Sequence, residues 1–342
     1  LDPYLRGLEG QSALLVWWHH LLDGQPPPGS DIRLNLDMEL QQIANQLLGD
    51  TNGALVLMGA ESGEILSMVS QPSYEPADLN ENWSELVSDA NTPLLNRVVQ
   101  GRYPPGSILG PFLLAAQSAE EGFQLSEFDP TPVNDPNLDC ALPGEPLNWA
   151  DAISAGCSGS LVTLGEEWEG EQLSQLLEDL GFFTNIDLDP GNNGEYIPTA
   201  IRSSEEVILG QSDFQVSPLQ VARAAAVLSA GGAIPEPQLT AAVNLPDSGW
   251  MVFPSAGDRK QIFSAANAEG VANLLADETL PFWQAVSRIT KDQDQASSWY
   301  LAGTLPNWSG SPLVLVIVLE EDMPQQALQI GREMMEAALQ VE

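Results

Sequence analysis

Positive charge is scarce in this chain. Of 342 residues, 11 are Lys or Arg and 48 are Asp or Glu, which gives a formal net charge of −37. Only Lys260 and Lys291 are lysines. Binding to nucleic acid or to anionic lipid head groups relies on Lys and Arg that replace counterions, so the composition excludes both as partners. The plain reading of the charge is solubility. Histidine is confined to His19 and His20. A Ser-His-Asp triad therefore has no histidine to draw on over the rest of the chain. With only two cysteines beside that adjacent pair, an ordinary structural zinc site is also excluded, and no metal or cofactor is expected. Long apolar runs are absent too. The longest, Leu313 to Leu319, has strand length and is far short of a membrane span. No signal peptide or starting Met is seen. The chain starts in mid-pattern at Leu1, which leaves room for a membrane anchor upstream.

Hydrophobic residues make up 43 % of the chain, enough for a substantial core. The length suits one large domain, or one large and one small. Cys140 and Cys157 fit a disulfide of an exported protein, and they fit two free buried thiols equally well.

Residues 1–30 read as a short helical piece, Leu14 to Leu22, and a Pro-Gly break at Gln25-Pro-Pro-Pro-Gly29 that marks a linker. Ile32 to Leu36 alternates like a strand. Asp37 is a helix N-cap for a segment with Leu40, Ile43, Ala44, Leu47 and Leu48 on one face, ended by Gly49. Ala54 to Met58 and Glu64 to Val69 flank a turn at Glu61-Ser-Gly63 and predict a hairpin. Residues 100–230 read as mostly helical, with loops at 128–148 and 186–198. Strand-like runs return at Ala285 to Thr290, Ser298 to Gly303 and Leu313 to Leu319. An amphipathic helix from about Pro324 to Val341 closes the chain. Strands from both ends with helices between predict an α+β fold, one sheet with a helical insertion.

At this point the residues resemble a known family. Asp31-Ile-Arg-Leu-Asn-Leu-Asp37 is similar to the segment that opens the transpeptidase module of class B penicillin-binding proteins. Gly53-Ala-Leu-Val-Leu-Met58 followed by Ser62-Gly-Glu-Ile-Leu-Ser-Met-Val69 resembles its first hairpin. Gln100-Gly-Arg-Tyr-Pro-Pro-Gly-Ser107 resembles the lead-in to its nucleophile. Ser217-Pro-Leu-Gln-Val-Ala222 and Ser229-Ala-Gly-Gly232 resemble a later helix and turn, and Ser298-Trp-Tyr-Leu-Ala-Gly303 with Pro312 to Glu320 resembles the closing strands. The likeness runs in order over residues 31–342. Residues 1–30 look like the tail of a preceding non-catalytic domain. The resemblance implies the penicillin-binding/serine β-lactamase-like transpeptidase fold: an antiparallel sheet flanked by helices, with a helical subdomain at about 100–230. It also implies a place at the outer face of the cytoplasmic membrane, and partners among peptidoglycan stem peptides or cell-wall synthesis proteins.

The family works with three motifs, Ser-x-x-Lys, Ser-x-Asn and Lys-Thr-Gly. All three are eroded here. Ser107 matches the nucleophile, but the lysine position three residues on is Gly110, followed by Pro111. Without a base, a serine hydroxyl is a poor nucleophile, a loss of about 10⁶ in rate for a serine hydrolase. The second motif reads Gly156-Cys157-Ser158, or Ser158-Gly-Ser160 when slid by two; neither has the amide. Gly156-x-Ser158 also resembles a nucleophile elbow, which lacks its final glycine here. In the third motif Arg288 is taken at the lysine, Ile289 at the threonine and Thr290 at the glycine, where a Cβ narrows the groove. An alternative register at Thr304-Leu-Pro306 displaces the match from Trp299 to Glu320. Lys291 is the one lysine near the site in sequence and the candidate substitute amine. The reading is a family member that has lost catalysis and serves as a structural or interaction module. The alternative is a D,D-transpeptidase or carboxypeptidase that acylates Ser107 with a non-standard base. The tryptophans are candidates to line a glycan or peptide groove; Trp83 falls in a stretch matching the family pattern, and for Trp283 and Trp299, which flank the third motif, a core position is the preferred reading.

Overall fold

The computed structural model describes the chain except for residues 1, 11, 25–27, 118–127, 129–139, 167, 169, 189–194, 198, 246–247, 254–258, 278, 293–294 and 342. For residues 15, 20, 23, 166, 291, 292 and 295 it describes the backbone alone. The helices are α1 (Asp2–Leu5), α2 (Ala13–Trp18), α3 (Met38–Leu48), α4 (Leu79–Ser88), α5 (Gly110–Gln117), α6 (Trp149–Ser154), α7 (Ser158–Glu166), α8 (Gly170–Asp179), α9 (Ser204–Ile208), α10 (Pro218–Ser229), α11 (Ala265–Leu274) and α12 (Pro324–Ala338). The strands are β1 (Asp31–Leu34), β2 (Gly53–Gly59), β3 (Ile65–Gln71), β4 (Ala233–Ile234), β5 (Thr240–Leu245), β6 (Gly249–Val252), β7 (Lys260–Gln261), β8 (Phe282–Asp292), β9 (Gln295–Thr304) and β10 (Leu313–Leu319).

The main sheet has five antiparallel strands in the order β3-β2-β10-β9-β8. Both ends of the chain build it, as the strand pattern predicts. β10 is central and buried along its whole length, which is why its sequence is an unbroken apolar run rather than an alternation. Successive side chains of a strand point to opposite faces, and the two faces feed two separate cores. Ala54, Val56, Val314, Val316 and Trp299 join one, under α10. Leu55, Leu57, Leu315, Ile317 and Tyr300 join the other, under α3 and α12.

Local chemistry explains the flanking helices. Asp37 caps α3 by accepting from the backbone N–H groups of Glu39 and Leu40. Ser217 and Gln220 form a reciprocal capping box at the start of α10, with Pro218 in its first turn. Gly331 lets α12 lie flat on the ring of Tyr300, where a Cβ would collide with it.

The strand expected at residues 32–36 forms as β1, but it pairs with β5 in a separate three-stranded sheet, β1-β5-β6. The loop expected at 128–148 lies largely outside the described residues. The final helix ends at Ala338.

Candidate functional site

The site is built from the segment that leads into Ser107. Arg97 is almost fully buried. Its Nε donates to Glu320 Oε1 at 2.9 Å, its Nη1 to the Thr92 carbonyl at 3.1 Å, and its Nη2 to the Asn91 carbonyl at 2.7 Å. Tyr103 donates to the same Glu320 oxygen at 2.8 Å. Burial, and then the Glu320 charge, push the Tyr103 phenol far above its ordinary pKa, so it stays a donor. The Tyr103 backbone exchanges hydrogen bonds with Val216 at 3.0 and 2.9 Å. Its ring meets Trp299 edge to face, with centroids 5.8 Å apart. Trp299 Nε1 donates to the Pro104 carbonyl at 3.0 Å. Residues 97–104 are thereby clamped to the middle of β9 and to Glu320 just past the end of β10.

The chain then turns through Gly106, at φ 58°, into a 3-10 turn, Gly106–Leu109, which runs directly into α5. Pro111 sits in the first turn of α5, where a proline is tolerated, so the helical path after Ser107 is kept. Gly110 donates its backbone N–H to the Ser107 carbonyl. A Cβ built on Gly110 would lie 3.0 Å from Leu161 Cδ2 and 3.1 Å from Ile153 Cγ1. Both of those side chains are fully buried. The place from which a lysine would project is thus occupied by hydrocarbon.

Ser107 is 1 % exposed. Its Oγ lies 2.8 Å from Ser287 Oγ, within hydrogen-bond distance. No charged or titratable side chain among the described residues hydrogen-bonds to either hydroxyl. Ser287 faces the nucleophile because it is cross-strand from Trp299 in the β8–β9 ladder, on the α10 face of the sheet. Ile289, two residues on, shares that face. A Cβ on Gly106 would meet Ile289 Cδ1 at 2.8 Å, and a Cβ on Gly210 would meet Ile289 Cγ2 at 2.9 Å. Ile289 is therefore wedged between two glycines beside the serine.

The expected third-motif register is displaced by one residue. Arg288, taken at the motif's lysine, is cross-strand from Ser298 and faces the α12 side. There its Nε lies 4.0 Å from Asp322 Oδ1, and it lines a groove of about 970 Å³ with Cys140, Asp322 and the start of α12. Thr290, exposed, falls on the Arg288 side of β8 by the same alternation. The narrowing expected from Thr290 comes from Ile289 instead. The Lys291 side chain lies outside the described part. Ser287 is the site residue that sequence reasoning missed, and its pairing with Trp299 is what identifies it.

Ser158 opens α7, is 5 % exposed, and belongs to a helix that packs on the 3-10 turn of Ser107. Just before it, Cys157 is disulfide-bonded to Cys140, which resolves the cysteine alternatives. Ala141 and Leu142 donate to the carbonyls of Gly156 and Ala155 at 3.2 and 3.0 Å. Gly156, at φ 67°, lies so close to the Val286 carbonyl that any Cβ would strike it. The pinned 140–157 closure therefore covers the outer edge of β8 next to the Ser107–Ser287 pair.

Comparisons with known proteins identify the fold and the family. Residues 53–291 match the family model described as penicillin binding protein transpeptidase domain. Over 268 residues the chain is 31 % identical to the peptidoglycan D,D-transpeptidase MrdA of Acinetobacter baumannii, covering 68 % of this chain. The match spans only 39 % of that relative's own length. Among solved structures, PBPA of Mycobacterium tuberculosis superposes with a TM-score of 0.78 at 22 % identity, over 99 % of this chain and 87 % of that one. PBP2 of Helicobacter pylori, solved in complex with MreC, superposes at 0.67 and 19 % identity, over 90 % of this chain and 64 % of that one. No helix among the described residues is long and apolar enough to cross a membrane.

Proposed function

The chain belongs to the class B penicillin-binding-protein transpeptidase family of cell-wall proteins, and from that premise we propose that it keeps the fold without the acyl-transfer chemistry. In this reading it is a structural or interaction module of the wall machinery at the outer face of the cytoplasmic membrane. The observation that carries the proposal is the partner of the Ser107 hydroxyl. Attack on an acyl donor requires that hydroxyl to give up its proton as the bond forms. Ser287 is another neutral hydroxyl and no stronger a base than water. Ser107 is then a remnant nucleophile, Ser158 a remnant of the second motif, and Arg288 and Thr290 parts of a third motif turned away from the serine. The burial of Ser107 and the Ile289 wedge support the same reading, since an acyl donor must reach the oxygen along an open path.

The Cys140–Cys157 bond supports an oxidising compartment. The complex of the Helicobacter pylori neighbour with MreC supports a partner drawn from cell-wall synthesis proteins. Stem peptides remain candidate ligands held without covalent chemistry. Release of D-Ala from a D-Ala-D-Ala-terminated peptide tests the proposal. The native chain is expected to match its Ser107→Ala variant at every time point. Release that depends on Ser107 would overturn the silent reading and make Lys291 the first base to examine.

A further inference from the structure

One wall of the groove on the α12 side of the sheet is the disulfide. Cys140 is half-buried and lines that groove of about 970 Å³, while its partner Cys157 is 2 % exposed. The two sulfurs are therefore not equivalent to an incoming thiolate. Exchange requires access to one sulfur and departure of the other, and among the described residues it is Cys140, not Cys157, that lines the groove. We propose that Cys140 is a thiol–disulfide exchange site, opened from this groove by a dithiol reductant, and that exchange there releases the 140–142 end of the cover beside the outer edge of β8.

The chemistry balances without another reactant. The first thiolate of the dithiol attacks Cys140 Sγ, forms a mixed disulfide and expels Cys157 as thiolate. The second thiol of the reductant, deprotonated, attacks the mixed disulfide and expels Cys140 as thiolate. The reductant leaves as its disulfide, and its two protons end on the two cysteines. At its 140–142 end the cover is then held by the pair of backbone bonds from Ala141 and Leu142 to Gly156 and Ala155 and by the close seat of Gly156 on the Val286 carbonyl, while α6 stays anchored by the buried Trp149, Ala152 and Ile153. Two such bonds, each worth about 1 kcal/mol net, hold far less firmly than a covalent link.

Reduced glutathione, a monothiol, reads out which sulfur is attacked. The folded chain is exposed to it briefly, alkylated with iodoacetamide, digested with pepsin and mapped by mass spectrometry. Glutathione is expected on Cys140 and the alkyl group on Cys157, in excess over the reverse pattern by about tenfold or more. Glutathione on Cys157, an even split, or an adduct that forms no faster than tryptophan fluorescence reports unfolding would overturn the proposal. Hydrogen exchange after reduction with dithiothreitol tests the second half. Protection in residues 282–289 is expected to fall by about tenfold while α10 and β10 keep theirs. Unchanged protection at 282–289 would sink the release of the cover. Loss of protection throughout would do the same, because it would show unfolding rather than local release.

Discussion

Replacing Ser107 by alanine should make this protein less stable. The hydroxyl is 1 % exposed and its partner is Ser287 Oγ at 2.8 Å. Removing it loses one buried hydrogen bond, worth about 0.5–1.5 kcal/mol net, and leaves the Ser287 hydroxyl buried without a partner, at about 1–3 kcal/mol. Ser287→Ala should cost a similar amount by the converse argument. The double variant removes both hydroxyls and leaves nothing unsatisfied, so it should cost less than the two singles added together, by about 1–3 kcal/mol. Urea unfolding of the four proteins gives these differences directly, read from midpoints at constant slope. A nucleophile poised for chemistry behaves in the opposite way, because active sites trade stability for function and losing the group is often neutral or stabilising. Ser107→Ala at or above native stability, or additive single variants, would refute the claim that the serine is now a structural group.

Three other outcomes follow from the same geometry. Gly110→Lys should not restore a base. Its Cβ would press on Leu161 and Ile153, and overpacking of this kind costs about 1–3 kcal/mol, visible as a lower urea midpoint with no gain in D-Ala release. Glu320→Ala strips the partner from the buried Arg97 guanidinium and from Tyr103. Breaking a buried pair costs about 3–5 kcal/mol, and the partial exposure of Glu320 puts the value at the low end; a loss under about 1 kcal/mol in urea unfolding would contradict the clamp. Asp277 is held below its ordinary carboxylate pKa by the Thr279 hydroxyl and backbone N–H, and then by Arg332. Its contribution to stability is therefore present above the unfolded pKa and fades as pH falls through the lower folded one. Asp277→Asn should flatten the acid limb of a stability–pH curve and leave the neutral limb unchanged in slope.

The frame was legible because its signals are local. The central strand is an uninterrupted apolar run, the hairpin of β2 and β3 carries its turn residues, and Asp37 announces α3. β5 and β6 are not legible in the sequence: β6 is exposed along its length, and β5 buries the adjacent Ala242 and Val243, so neither shows the alternation of a half-buried strand. The β8 register was missed by one residue for a related reason. Between Val286 and Thr290 the sequence offers a cation and a hydroxyl that imitate a motif, and only the cross-strand pairing of Ser287 with Trp299 decides which side chains face Ser107. The two cysteines fit a bond or a pair of thiols until the backbone ladder between residues 141–142 and 155–156 brings them together. The absence of a lysine three residues after Ser107 needed no structure. That hydrocarbon fills the vacated place did.

The most direct test is an intact-mass time course of the native chain in excess benzylpenicillin, run beside an active member of the family. With no base at the hydroxyl among the described residues, acylation should be slower by about 10⁶-fold, so the chain should hold its unmodified mass after days. A penicilloyl adduct that maps to the peptide containing Ser107, formed at a rate within a few hundredfold of the active relative, would contradict the account.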